Sequence, residues 1–139
     1  MPLAVEVFTN HTHEAGLETR LTAALRQAVL QGHPFRLTSQ DVATHRVQGL
    51  VREVRTVPLS FDANDTVLQY RIEADIRLRL MTGESPKAAL EQDMTAWAEY
   101  LVSRNRIVRE EVVAREAALA RLADQFASQC TALLAIFLL

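Results

Sequence analysis

The sequence has little with which to cross-link itself, hold a metal or span a membrane. Its one cysteine, Cys130, can form no internal disulfide and cannot supply a cysteine-based zinc site. With four glycines and four prolines, collagen-like and linker-rich readings fail. The longest apolar run, residues 132–139, falls well short of the roughly 18–20 residues of a membrane helix. The formal charge is −2, so no bulk field draws nucleic acid. The opening MPLAVEVF has no basic n-region, long apolar h-region or small-residue cleavage site; it is not a signal peptide, and read literally it suits a cytosolic protein. Phosphate-binding glycine loops, H-E-x-x-H and G-x-S-x-G are all missing, which removes the common nucleotide, zinc-protease and serine-hydrolase signatures. These gaps point to a non-enzyme that needs no cofactor.

What is present is a folding chain. Its 139 residues suit one domain, and 49% hydrophobic with 23% charged residues is a globular composition. Residues 3–8 (LAVEVF) alternate as a short strand. Leu17, Leu21, Ala24, Leu25 and Ala28 then recur at helical spacing, which predicts a helix over 15–31 stopped by Gly32 and Pro34. Residues 35–38 suit a brief strand and 41–45 a connection.

The strongest strand signal runs over 68–80, where every even position is apolar and the odd ones are Gln69, Arg71, Glu73, Asp75, Arg77 and Arg79. A period of two over that length implies one dry face and one wet face. Residues 47–61 form its partner, with an edge or bulge at Pro58, and 62–65 turn between them. A second turn over 82–86 leads to a strand over 92–102. The last 53 residues carry neither Gly nor Pro, and a long helix capped by Asn105 places Leu119, Leu122, Phe126 and Cys130 on one face. The expected fold is α+β, in the order β-α-β-β-β-β-α. It has a mainly antiparallel sheet of four to five strands with two helices packed on one face.

Chemistry-bearing residues are few. His11 and His13 could chelate a metal with a third ligand, but polar loop histidines are the commoner reading, and no metal site is expected. His33 and His45 stand alone. Cys130 reads as a small buried hydrophobe. Of the 15 basic residues 14 are arginine, whose planar fork suits phosphate groups. Arg71, Arg77 and Arg79 project from the wet face of the long strand, with Arg52 and Arg55 on its partner. Glu53, Glu73 and Asp75 are interleaved and could pair with them instead. Trp97 falls in the polar phase of its strand, a sign of a partner surface or of packing under a strand end.

Three stretches resemble the LptE family of lipopolysaccharide-assembly outer-membrane lipoproteins. Residues 5–25 (VEVFTNHTHEAGLETRLTAAL) are similar to a family strand ending in Phe-x-Asn-x-Thr, followed by Glu-Pro-Gly-Leu-Glu opening a helix. Phe8, Asn10, Thr12, Glu14, Gly16, Leu17 and Glu18 fit, and Ala15 replaces the Pro. In 47–80, Pro58, Leu59, Ser60, Asp62, Tyr70 and Arg71 fit a Pro-Leu-Ser-Tyr-Asp turn and a Glu-Tyr-Arg strand, with Phe61 for Tyr and Gln69 for Glu. Residues 109–129 resemble the Glu/Ala/Arg-rich closing helix. The resemblance covers nearly the whole chain, a single domain over 1–139.

The resemblance implies a non-catalytic protein on the periplasmic side of the outer membrane. It implies two partners, an LptD-like outer-membrane β-barrel that it plugs and helps assemble, and lipopolysaccharide. The hairpin tip (Phe61, Asp62, Ala63, Asn64, Asp65, Thr66) is the expected barrel contact. Arg71, Arg77 and Arg79, then Arg52 and Arg55, are the expected lipopolysaccharide contacts; these assignments rest on geometry, apart from Arg71's place in the matched stretch. Family members begin with a signal peptide and an acylated cysteine, which this chain lacks, so Met1-Pro2 is expected to lie after that segment. A cytosolic α+β binding or dimerisation module and a metal-assisted enzyme using His11 and His13 are the competing classes.

Overall fold

The computed structural model describes residues 2–32, 35–102 and 108–138. Eight elements follow one another: β1 (Pro2–Val5), β2 (Thr9–Asn10), α1 (Leu17–Gln31), β3 (Arg36–Leu37), β4 (His45–Phe61), β5 (Val67–Thr82), β6 (Ala88–Leu101) and α2 (Val108–Leu138). The sheet order is β3-β1-β4-β5-β6, with β2 also paired to β4. β4, β5 and β6 are antiparallel, whereas β1 runs parallel to both β3 and β4. The α+β architecture agrees with the sequence. The strand count is six rather than four or five, because the first predicted strand divides.

That division has a packing cause. Residues 3–8 alternate as one strand, but the pairing stops at Val5 and resumes at Thr9. Phe8 is buried and its ring meets Phe126 of α2 edge-on, centroids 5.6 Å apart. It also lies over Gly49 so closely that a Cβ there would come within 2.4 Å of the ring. Burying the aromatic bends the strand away from its partner.

The even positions of β5 make the dry face, with Ile72, Ala74, Ile76, Leu78 and Leu80 almost fully buried. β6 contributes Ala96, Ala98 and Tyr100 to the same core. It starts earlier than predicted, at Ala88, because Ala88 and Leu90 pair with Met81 and Leu80. Leu17, Leu21, Leu25 and Val29 of α1 close over this face with Leu119, Leu122, Phe126, Cys130 and Leu134 of α2. Burial pushes the Cys130 thiol upward, consistent with a hydrophobe in the core rather than a nucleophile. α1 begins at Leu17 behind Gly16, which holds the left-handed φ of +86°. It ends at Gly32, whose N–H donates to Ala28 O at 3.0 Å. The predicted cap Asn105, as well as His33 and Pro34, lies outside the described residues.

Both helices occupy one face, so the other is left open. α2 follows the edge strand downward, with Arg121 on Glu99, Gln125 on Trp97 and Cys130 on Met94. Gln125 Oε1 accepts the Trp97 N–H at 2.8 Å, and Arg121 donates to Glu99 O at 2.5 Å. These two side chains satisfy edge groups that would otherwise template another strand.

Candidate functional site

The open face is built by strand register. Arg71, Glu73, Asp75, Arg77 and Arg79 of β5 stand opposite Glu99, Trp97, Thr95, Asp93 and Glu91 of β6. On the other side β4 supplies Gln48, Leu50, Glu53 and Arg55 opposite Arg79, Arg77, Asp75 and Glu73. A bulge between Val51 and Glu53 inserts Arg52, and a second irregularity follows Pro58, where the sequence anticipates one.

All five expected arginines are on this face, and all are paired. Arg77 Nε reaches Asp93 at 2.9 Å and Glu91 at 3.4 Å; Arg79 Nε reaches Glu91 at 3.0 Å. Arg71 donates to Glu99 at 2.8 Å and its guanidinium sits 4.5 Å from the Trp97 ring centroid, a cation–π contact. Arg55 forks onto Asp75 at 2.6 and 3.2 Å, with Glu53 and Glu73 nearby. Arg52 is held most loosely, 3.5 Å from Asp93. Hydrogen bonds from Arg55 and Thr95 draw the Asp75 carboxyl below its ordinary value, and Arg77 does the same to Asp93. The face is therefore a ladder of alternating charge rather than a basic patch. Any anion it takes must share an arginine with a carboxylate. Arg52 and Arg79, about half exposed, have the most to offer.

The sequence alone gives Glu53, Glu73 and Asp75 as partners for these arginines. It does not give Glu91, Asp93 and Glu99, because the register between β5 and β6 is set by core packing on the other face. Trp97 is 42% exposed, held between the Arg71 guanidinium and its own edge hydrogen bond to Gln125.

The hairpin tip projects beyond this face. Asp62 Oδ1 accepts the N–H groups of Asn64 (2.8 Å) and Thr66 (3.0 Å), and Asp65 takes a left-handed φ of +58°. Phe61 is 54% exposed at its root. His11 and His13 are exposed in the loop before α1. Among the described residues, no three His, Cys, Asp or Glu side chains gather as a metal site.

That loop is tied down chiefly by Asn10. Its Nδ2 donates to Glu14 O and Glu18 Oε2, both at 2.8 Å, while its Oδ1 accepts from the Thr12 N–H and hydroxyl at 2.9 and 2.7 Å. Glu14 in turn pairs with Arg115 of α2. Asn10, Thr12, Glu14 and Glu18 thus close a loop and clip it to the last helix.

The model of the lipopolysaccharide-assembly LptE family matches residues 1–132. The chain belongs to the LptE family. As an LptE protein it is a component of lipopolysaccharide assembly, and the family are outer-membrane lipoproteins. No match is found among curated proteins. A candidate lipoprotein from Caulobacter crescentus CB15 shares the fold at TM-score 0.65 and 14% identity, over 96% of this chain and 89% of that one. The rare lipoprotein B from Shewanella oneidensis aligns at TM-score 0.56 and 11% identity, over 99% and 98%. A minor lipoprotein from Acinetobacter baumannii gives 0.53 and 16%, over 94% and 92%. At these identities the likeness is one of fold. Within this LptE domain, no described helix is long and apolar enough to cross a membrane.

Proposed function

We propose that this protein is a non-catalytic LptE subunit that seats inside an LptD-like outer-membrane β-barrel, assists its assembly, and binds lipopolysaccharide on its uncovered sheet face. In this reading the mature protein is a lipoprotein held at the periplasmic side of the outer membrane. The observation that carries this reading is the open face itself, broad and arginine-bearing, in a chain whose family works in lipopolysaccharide assembly. Phosphates compete there with Glu91, Asp93 and Glu99 for Arg71, Arg77, Arg79 and Arg52 and with Asp75 for Arg55, so affinity comes from exchanging one anion for another and weakens with salt. The tip from Phe61 to Thr66 enters the barrel, with the half-exposed Phe61 ring as its apolar contact.

Replacing Arg71, Arg77 and Arg79 together with Ala tests the binding surface. Lipopolysaccharide affinity should fall more than tenfold, the equivalent of about 1.4 kcal/mol or more; unchanged affinity sinks the assignment.

A further inference from the structure

β4 is the longest strand of the sheet, and its outer edge is paired for only part of its length. β1 takes His45 to Val47, β2 takes Leu50 and Val51, and the contact ends with the His11 N–H on Val51 O at 3.0 Å. From Glu53 to Pro58 β4 pairs with β5 alone.

Three hydrogen bonds fix which backbone groups this leaves over. The Val47 and Val51 carbonyls accept from the Glu6 and His11 N–H groups, away from β5, and the Leu68 carbonyl accepts from the Val102 N–H, away from β4. Val47 and Val51 stand opposite Leu80 and Ile76. In this ladder, then, the even positions of β5 and their β4 partners turn their N–H and C=O groups away from each other. Beyond the bulge at Arg52 the same phase falls on Val54, Thr56 and Pro58, opposite Ala74, Ile72 and Tyr70. Pro58 suits it, since the N–H it lacks would point outward. The N–H and C=O groups of Val54 and Thr56 have no hydrogen-bond partner among the described residues.

The far edge of the sheet is treated differently, for Gln125 and Arg121 cap the outward groups of Trp97 and Glu99 on β6. On β4 the bulge and Pro58 frame a short stretch and leave it uncapped. Thr56 is exposed and Val54 half-buried. A cleft of about 360 Å3 lies beside them, lined also by Thr12, His13, Glu14 and Arg115.

N–H and C=O groups alternating at strand spacing are complementary to another extended backbone. The side chains around the edge say which kind. Val54 packs onto the core on the helix side, so an added strand lays an apolar residue against it. On the open face Arg55 is committed to Asp75 at 2.6 Å, while Glu53 and Glu73 lie 3.5 and 3.9 Å from it. Arg52 is drawn off toward Asp93. The surplus beside the edge is acidic, which calls for basic residues in the phase opposite the apolar ones. A second copy of this chain fits less well. The antiparallel register that engages Val54 and Thr56 of both copies sets Arg55 against Arg55. The register that sets Glu53 against Arg55 leaves Thr56 facing the bulge at Arg52.

We infer that the edge of β4 from Val54 to Thr56 is a docking site for an extended segment of a partner polypeptide, apolar toward the helices and basic toward the open face. The segment adds one strand to the sheet beyond the end of β2. Neither lipopolysaccharide nor the barrel enters this assignment, so it stands or falls apart from them.

The test is an NMR titration of the full chain with the synthetic peptide Thr-Lys-Val-Lys-Val-Lys-Thr. The peptide should shift the amides of Val54 and Thr56 and slow their hydrogen exchange. Methylating its backbone nitrogens on the valines or on the lysines should abolish binding in one case and spare it in the other, because only one alternate set faces β4. Glu53→Gln should weaken binding several-fold, and Thr56→Pro, which removes an outward N–H, should weaken it about tenfold. The methylated peptides leave the protein untouched, so they decide the matter even where Thr56→Pro fails to fold. Equal effects of the two methylated sets, or shifts confined to the open-face side chains, overturn the docking site. Equal binding of a peptide with Glu in place of Lys overturns its basic character. A dimer by sedimentation equilibrium, with Val54 and Thr56 already protected before peptide is added, assigns the edge to a second copy and overturns the partner segment.

Discussion

The ring of Phe8 fills the space that any side chain at position 49 would need. A Cβ on Gly49 would lie 2.4 Å from Cδ2 and Cε2 of that ring, and the ring is itself wedged against Phe126. Gly49→Ala should therefore destabilise the fold by about 1–3 kcal/mol, the usual cost of overpacking. Urea denaturation measures it. Combining it with Phe8→Leu should cost less than the sum of the two single changes, because both act on one contact.

Asn10 holds the loop before α1 through four hydrogen bonds. At about 1 kcal/mol net for each bond to a neutral partner, Asn10→Ala should cost on the order of 2–4 kcal/mol. Hydrogen exchange should show the loop from residue 10 to residue 16 losing protection before the β5 amides do. Equal loss of protection in both would mean that the loop is not a separate unit.

The edge of β6 is closed by side chains of α2, with Gln125 on the Trp97 N–H and Arg121 on the Glu99 carbonyl. A Gln125→Ala, Arg121→Ala double variant should keep its secondary structure and self-associate at concentrations where the parent is monodisperse. Sedimentation velocity reads the difference directly.

Acid should weaken the charge ladder. Asp75 titrates below its ordinary value because Arg55 and Thr95 hydrogen-bond its ionised form. A carboxyl depressed in the folded state contributes stability above its unfolded value, and that contribution disappears as pH falls through the folded one. The stability gap between the parent and Asp75→Asn should be present at neutral pH and narrow below about pH 4. Because the pair is partly exposed, the gap should be modest, about 0.2–1 kcal/mol, and smaller in high salt.

Much of the fold was legible in the sequence, and the exceptions share a cause. The period-two pattern from Leu68 to Leu80 located β5 and its two faces, and Pro58 marked an irregularity in β4. What escaped was set by contacts distant in sequence. Val7 continues the apolar phase of LAVEVF, yet Val7 is exposed and Phe8, in the other phase, is buried on Gly49 and Phe126, where the strand breaks. The arginines were identifiable from their phase, but their carboxylate partners on β6 were not, since pairing Arg77 with Asp93 depends on a register fixed by the buried face.

The most direct test of the central claim is affinity purification of the protein from outer membranes. An LptD-like β-barrel should be recovered with it in equimolar amount, and replacing the exposed tip ring, Phe61→Asp, should reduce that recovery. Purification of the lipidated protein without any barrel, under conditions that preserve outer-membrane complexes, would contradict the account.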